Sequence, residues 1–344
     1  MTTQQTDART VTDAGGRRRP QPDLALDAHM QALEDAADAA MLAPSVHGSQ
    51  PWTLLLHRDR LEVRADRSRQ LATLDPRGRE LVQSLGAALF NVRVALATRG
   101  WGATVERLPA PGRTDVVAVV RPVPGVPEAG LPVLADALHR RSTHRAGFLA
   151  EEVPDELLAH LARAAAAEGA GLVVATSSGH RRLLARLTRE ADAVHAATPA
   201  AAEELRRWQP DGPVHGGPDR GGPRRTVDSD SGADRTFVLL TAPADDPPSW
   251  LRSGEALERV LLELTRLGWS ASPMTQVLEV PATRAVVRSA ITDGAHPQAL
   301  LRIGHPGPRP ASLLRHRQDV VRHHPWPPAG PRPVPDGRGG TTWV

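Results

Sequence analysis

A glycine and a glycine–tryptophan pair recur at one fixed spacing in this chain, and that repetition limits the folds open to it more than any other feature. Gly86-Ala87-Ala88-Leu89, Val92, Leu96, Gly100-Trp101 and Ala103 correspond to Gly254-Glu255-Ala256-Leu257, Val260, Leu264, Gly268-Trp269 and Ala271, each 168 positions later. Alanine, leucine and valine coincidences are common on helices. A Gly-Trp pair in register with an upstream glycine is not, and the pattern is read as an internal duplication. Small residues at Gly86, Ala87, Gly254 and Ala256 would let two central helices approach closely and pack as the core of a pseudo-dimer.

At 344 residues the chain is long enough for about two ordinary domains and can bury roughly three quarters of its unfolded surface. It has no cysteine, which excludes structural disulfides, thiolate zinc sites and a cysteine nucleophile; redox chemistry would need a bound cofactor. All 42 basic residues are arginine. The sequence pI of about 10.7 beside a formal charge of +3 therefore reports the basicity of guanidinium rather than a large positive excess. Aromatics make up only 3%, so stacking platforms for bases are few and no nucleic-acid partner is expected. Residues 1–22 are polar, and Arg17-Arg18-Arg19 is followed by Pro20 rather than an apolar run, which argues against a secretory or twin-arginine leader. No window reaches the roughly 18 apolar residues of a membrane span. A cytoplasmic protein with no membrane partner is expected.

Hydrophobic periodicity predicts helices over 24–42, 80–99, 134–141, 155–168, 179–206 and 252–267, and strands over 53–57, 61–65, 116–120, 171–176, 236–241 and 299–303. The proline- and glycine-rich run 122–132 separates a first half, 23–130, from a second, 131–324. Segment 209–235, dominated by Gly, Pro, Asp and Arg, reads as an active-site lid or a solvated loop; 325–344 reads as a disordered tail, as does 1–22.

The run Ala43-Pro44-Ser45-Val46-His47-Gly48-Ser49-Gln50-Pro51-Trp52 closes one helix and introduces one strand. A tight polar turn of this kind exposes backbone N–H groups and small hydroxyls, suited to a flat, polar-edged ligand. At the end of another helix lies His139-Arg140-Arg141-Ser142-Thr143-His144-Arg145. Its guanidinium groups could bind a phosphate through paired, charge-assisted hydrogen bonds, or the segment could be a solvated basic helix end. The histidines form no metal-ligand spacing, and there is no nucleophile elbow, Walker loop or Rossmann fingerprint. No catalytic acid, base, nucleophile or metal ligand is nominated.

The 43–52 run resembles the Pro-Ser-x-x-Asn-x-Gln-Pro-Trp signature of the flavin-dependent nitroreductases, especially their single-chain, Acg-like branch. Arg141-Ser142-Thr143-His144-Arg145 resembles the family's Arg-x-Ser/Thr-x-Lys/Arg motif, and the resemblance spans about residues 24–322. It implies an α+β fold of two fused, pseudo-symmetric halves with antiparallel sheets around a helical core, and a monomer that builds internally the interface its relatives form as dimers. It implies flavin mononucleotide (FMN) as cofactor, NAD(P)H as transient hydride donor and a flat small-molecule acceptor such as a nitroaromatic or quinone. The alternatives are an FMN-sequestering protein with little turnover, should 209–235 cover the flavin, and a scaffold that binds none. Carried over residue by residue, Pro44, Ser45 and Gln50 line the cofactor, with His47 or a backbone contact substituting for the asparagine that Gly48 replaces. Arg141 meets the phosphate, Thr143 the phosphate or ribityl chain, and Arg145 the N1 and O2 edge of the isoalloxazine. Met274, Thr275 and Gln276 are expected to offer a backbone N–H to flavin N5. Arg315 and Arg317, separated by His316 where the family has adjacent arginines, are expected to reach the phosphate.

Overall fold

A computed structural model describes residues 24–109, 115–143, 148, 152–175, 177–208, 236–305, 314–324, 333–335 and 341–343. Arg145, the 209–235 segment and residues 1–22 lie outside them. In chain order the structure begins with α1 (Leu24–Ala40), β1 (Trp52–Leu56), β2 (Leu61–Ala65), α2 (Arg79–Thr98), β3 (Trp101–Arg107) and β4 (Val116–Pro124). The short α3 (Ala135–Arg140) leads to α4 (Asp155–Ala167), β5 (Gly171–Ala175), α5 (Ser178–Ala197), α6 (Pro199–Trp208), β6 (Thr236–Ala242) and α7 (Pro247–Arg266). Then come β7 (Ser270–Pro273), α8 (Gln276–Glu279), α9 (Pro281–Ala290), β8 (His296–Gly304), α10 (Arg317–Val320) and β9 (Val321–His323). Within the segment read as a C-terminal tail, β10 (Pro333–Pro335) pairs antiparallel with β11 (Thr341–Trp343).

The architecture is α+β. One sheet has the order β3-β4-β2-β1-β9, the other β7-β8-β6-β5. Leaving β9 aside, the two orders match strand for strand, and every pairing among these eight strands is antiparallel. α7 begins 168 residues after α2 begins and ends 168 residues after it ends. The exception to the expected antiparallel sheets is β9, which pairs parallel to β1 from Leu54↔Val321 to Leu56↔His323. A strand arriving from the far end of the chain is under no hairpin constraint to reverse.

α2 and α7 cross at their glycines. A Cβ on Gly86 would lie 2.1 Å from the Leu251 carbonyl oxygen, and one on Gly254 2.0 Å from that of Gln83. Only hydrogen fits at either position, so the two backbones touch. Around the crossing Leu85, Ala88, Leu89, Phe90 and Ala256 are fully buried. α2 is, among the described residues, the one helix long and apolar enough to cross a membrane, and 94% of its apolar window is buried in this core.

Two helices differ from the periodicity. The expected 179–206 helix is two, α5 and α6, because Thr198 is extended (φ −103°, ψ 102°) before Pro199; a residue preceding proline is pushed out of the α region. α7 starts at Pro247 rather than 252. The Asp246 side chain caps it by accepting from Ser249 N, and Pro247 occupies the first turn, where its missing N–H costs nothing.

Beside this cap, Asp245 accepts from Arg284 at 2.9 and 3.0 Å, Arg77 at 3.0 Å and Trp250 Nε1 at 2.8 Å. Burial opposes its ionisation, but these hydrogen bonds and the two guanidinium charges outweigh burial and hold the carboxyl well below the usual carboxylate range. A depressed native pKa stabilises the fold above the unfolded pKa and stops doing so as pH falls through the native one. Asp245→Asn is therefore expected to cost about 1 kcal/mol at pH 7, a figure reduced for water's access to the carboxylate. Urea unfolding should show that deficit shrinking once pH drops below about 4.

Candidate functional site

Between α1 and β1 the chain makes a single tight turn. His47, Gly48 and Gln50 all have positive φ (47°, 71° and 46°), a left-handed conformation that glycine adopts freely and asparagine tolerates. This is a physical reason why Gly48 can stand where the resembling signature has asparagine. At His47 and Gln50 the same conformation costs of order 1 kcal/mol each and has to be held from outside. Ser45 Oγ accepts from Gln50 N at 2.9 Å, and Ser84 Oγ on α2 accepts from Val46 N at 3.1 Å. Arg315 adds a clamp: its backbone N donates to Gln50 Oε1 at 3.0 Å, and its Nη1 to the carbonyls of Gln50 (2.9 Å) and Trp52 (3.0 Å).

Arg315, expected to reach a phosphate, instead lies on the signature turn with its guanidinium engaged by backbone carbonyls, Asp319 O among them at 3.0 Å. Arg317 is placed differently. It pairs with Glu34 and Asp38 on the surface of α1. Pro44 and Ser45 are half-buried at the start of the turn.

A second side of the turn faces the segment after β7. His47 Nε2 lies 2.8 Å from Glu279 Oε1, and the fully buried Glu279 side chain also meets His195 Nε2 of α5 at 3.5 Å. Met274, Thr275 and Gln276 precede Glu279 and so lie in the segment this contact ties to the turn. Met274 N already donates to Leu300 O at 2.9 Å, and its side chain belongs to the core with Val277 and Phe237. The amides of Thr275 and Gln276, at the start of α8, are those a helix leaves without an internal partner. α6 packs on the other flank: Ala201 and Trp208 form a small core with Val46, Leu71 and Leu74, and Glu204 Oε2 accepts from Thr73 N and Leu74 N at 3.1 and 2.9 Å.

The third side is Arg141, just past α3. Its Nη2 donates to Leu42 O at 3.1 Å, two residues before Pro44. The side chain is 9% exposed, Nε makes no hydrogen bond, and the nearest carboxylate oxygen, Glu258 Oε1, is 3.7 Å away. A buried guanidinium that leaves a donor unused is costly unless a ligand supplies the acceptor, and planar forked donors match a phosphate monoester. Thr143 is half-buried two residues on. Among the described residues no cluster suits a metal ion.

Glu279, His195 and Glu258 were not singled out by their sequence context. Glu279 interrupts the apolar run Val277-Leu278-Glu279-Val280, and Glu258 and His195 are ordinary polar positions on amphipathic helices. A carboxylate inside an apolar run is the one signal that could have marked Glu279.

The chain has relatives in Mycobacterium tuberculosis. It is 33% identical over 315 residues, 84% of this chain and 89% of the relative, to a Mycobacterium tuberculosis protein named "Putative NAD(P)H nitroreductase". It is 32% identical over 301 residues, 79% of this chain and 88% of the relative, to another from the same organism, "Putative NAD(P)H nitroreductase acg". No family model matches. Among solved structures, a BluB-like flavoprotein from Clostridium difficile 630 aligns with a TM-score of 0.40 and 16% identity, over 53% of this chain and 94% of that one. The chain belongs to the nitroreductase family. Within it, the identity to Acg places it in the Acg-like branch.

Proposed function

We propose that this protein is an FMN-dependent oxidoreductase, a cytoplasmic monomer that draws reducing equivalents from NAD(P)H and passes them to a flat acceptor such as a nitroaromatic or a quinone. The reading rests above all on Arg141: in a chain of this family, a buried guanidinium with an unused donor lies against the signature turn. Bound FMN would supply the electron-transfer chemistry that a chain without cysteine cannot supply itself. Arg141 would hold its phosphate, Thr143 its phosphate or ribityl chain, and Arg145, by the same motif, the N1 and O2 edge of the isoalloxazine. Pro44, Ser45, His47 and Gln50 would form one wall and Thr275 and Gln276 the facing one, with Met274 anchoring that segment in the core. Arg315 would act by fixing Gln50. Arg317, paired with α1, would reach a phosphate only on leaving Glu34 and Asp38.

The protein's part in this scheme is to bind, orient and exclude. Glu279 holds the His47 ring, and with it the left-handed turn, against α8. The α6 contacts keep water from the Val46 side of the turn.

Arg141→Ala tests the reading. Losing charge-assisted bonds to a phosphate is expected to weaken FMN binding by about 10- to 100-fold and to leave riboflavin, which lacks the phosphate, unaffected. Fluorescence titration of both ligands measures this, and equal affinity of variant and wild type for FMN would overturn the assignment.

A further inference from the structure

Glu258 lies on α7 with its side chain entirely buried, and neither carboxylate oxygen makes a hydrogen bond within normal reach. The polar groups facing it come from two other elements. Arg141, following α3, has its Nε 3.7 Å from Glu258 Oε1, and α2 presents Asn91, whose amide Nδ2 also donates to Ala39 O at 3.2 Å. Among the described residues no other charged or titratable side chain acts on it. The Arg141 guanidinium therefore sits between two groups distant in the chain, the Glu258 carboxyl 3.7 Å from its Nε and the Leu42 carbonyl 3.1 Å from its Nη2.

Resting on the assignment of Arg141 to the cofactor's phosphate, we propose that Glu258 is a positioning residue for that phosphate site: it fixes the Arg141 guanidinium beside the signature turn while leaving its charge to the ligand. The two requirements conflict for an ionised carboxylate, which would neutralise the arginine it positions. A neutral carboxylic acid meets both, because it fills the space beside Nε and limits where the guanidinium can lie without cancelling its charge. Burial pushes the Glu258 carboxyl up to about 8, against the opposing pull of Arg141 and the Asn91 amide. At pH 7 most of the free protein then carries Glu258 protonated. A phosphate dianion on Arg141 adds negative charge nearby and disfavours ionisation further, so deprotonating Glu258 must weaken phosphate binding.

The test is the ratio of FMN to riboflavin affinity as a function of pH, in wild type, Glu258→Gln and Glu258→Leu. Riboflavin carries the same ring system without the phosphate, so the ratio isolates the phosphate site from any titration of the ring. In wild type the ratio is expected to fall by about tenfold between pH 7.5 and 9.5. Glu258→Gln, neutral at every pH and of the same shape, is expected to keep the wild-type ratio at pH 7 within about threefold and to lose the decline. Glu258→Leu removes the anchor and is expected to lower the ratio about tenfold at pH 7. A flat wild-type profile, or a Gln variant that declines in parallel with wild type, would overturn the proposal. So would a folded Leu variant with an unchanged ratio, and if that variant does not fold, the Gln variant carries the test alone. Arg141→Ala separates the two levels: an unchanged ratio there refutes the phosphate assignment itself, whereas a collapsed ratio there with a persisting decline in Glu258→Gln refutes only the role of Glu258.

Discussion

Gly254→Ala is expected to destabilise the protein by at least about 3 kcal/mol. The added methyl would sit 2.0 Å from the Gln83 carbonyl oxygen and 2.8 Å from its Cα. Both are backbone atoms of a helix packed on all sides, so no rotamer change relieves the overlap and the two helices must separate. Alanine's better helix propensity returns only about 1 kcal/mol. Gly179→Ala is the control, since its methyl would meet nothing closer than Ser177 Oγ at 3.9 Å, and it is expected to be neutral or slightly stabilising. Urea denaturation of both variants measures the difference. A Gly254→Ala midpoint equal to wild type would mean that the helices do not touch there.

Arg93→Met is expected to cost about 3 kcal/mol, the low end of what removing one partner from a buried ion pair costs, because each buried carboxylate keeps a second guanidinium. Arg93 on α2 donates from Nη1 to Glu168 and to Glu255, both at 2.6 Å, and grips the more exposed Glu128 with Nε and Nη2. The residues come from segments distant in the chain: Arg107 of β3 also donates to Glu255, and Arg259 of α7 to Glu168. Glu168 and Glu255 are almost fully buried. Removing one of three guanidinium groups leaves two anions with one partner each in a region poor in water. A deficit under about 1 kcal/mol in urea denaturation would show the network to be dispensable to the packing of α2 on α7.

The parts legible in the sequence are those whose signal is local. Gly86 and Gly254 could be read as a helix crossing because a residue without a Cβ, inside an apolar helical run that it weakens, marks the close approach of a second backbone. Leu61–Ala65 could be read as a strand from its alternation. The break at Thr198-Pro199 was legible too, since proline cannot continue the preceding helix, but the apolar spacing on either side concealed it. β3, which begins at Trp101, and β7, which follows Trp269, lie at sheet edges; partial exposure blurs the period-two pattern in β3, and β7 has only four residues in which to show one. What could not be read is contact between distant segments. His47 meets Glu279 across 232 residues and Gln50 meets Arg315 across 265. Residue type and position alone left Arg141 open as a phosphate ligand or a solvated helix-end arginine; its burial beside Leu42 and Glu258 is a property of the fold.

The most direct test of FMN-dependent oxidoreduction is an anaerobic visible spectrum of the purified protein, loaded with FMN, desalted, and mixed with excess NADPH or NADH. Flavin is expected to be retained through desalting. Its absorption near 450 nm, roughly the maximum of any oxidised flavin, is expected to bleach on adding the nicotinamide and to return with a quinone or nitroaromatic. Retained flavin that stays oxidised would contradict turnover and point to sequestration. Loss of the flavin on desalting would contradict the site itself.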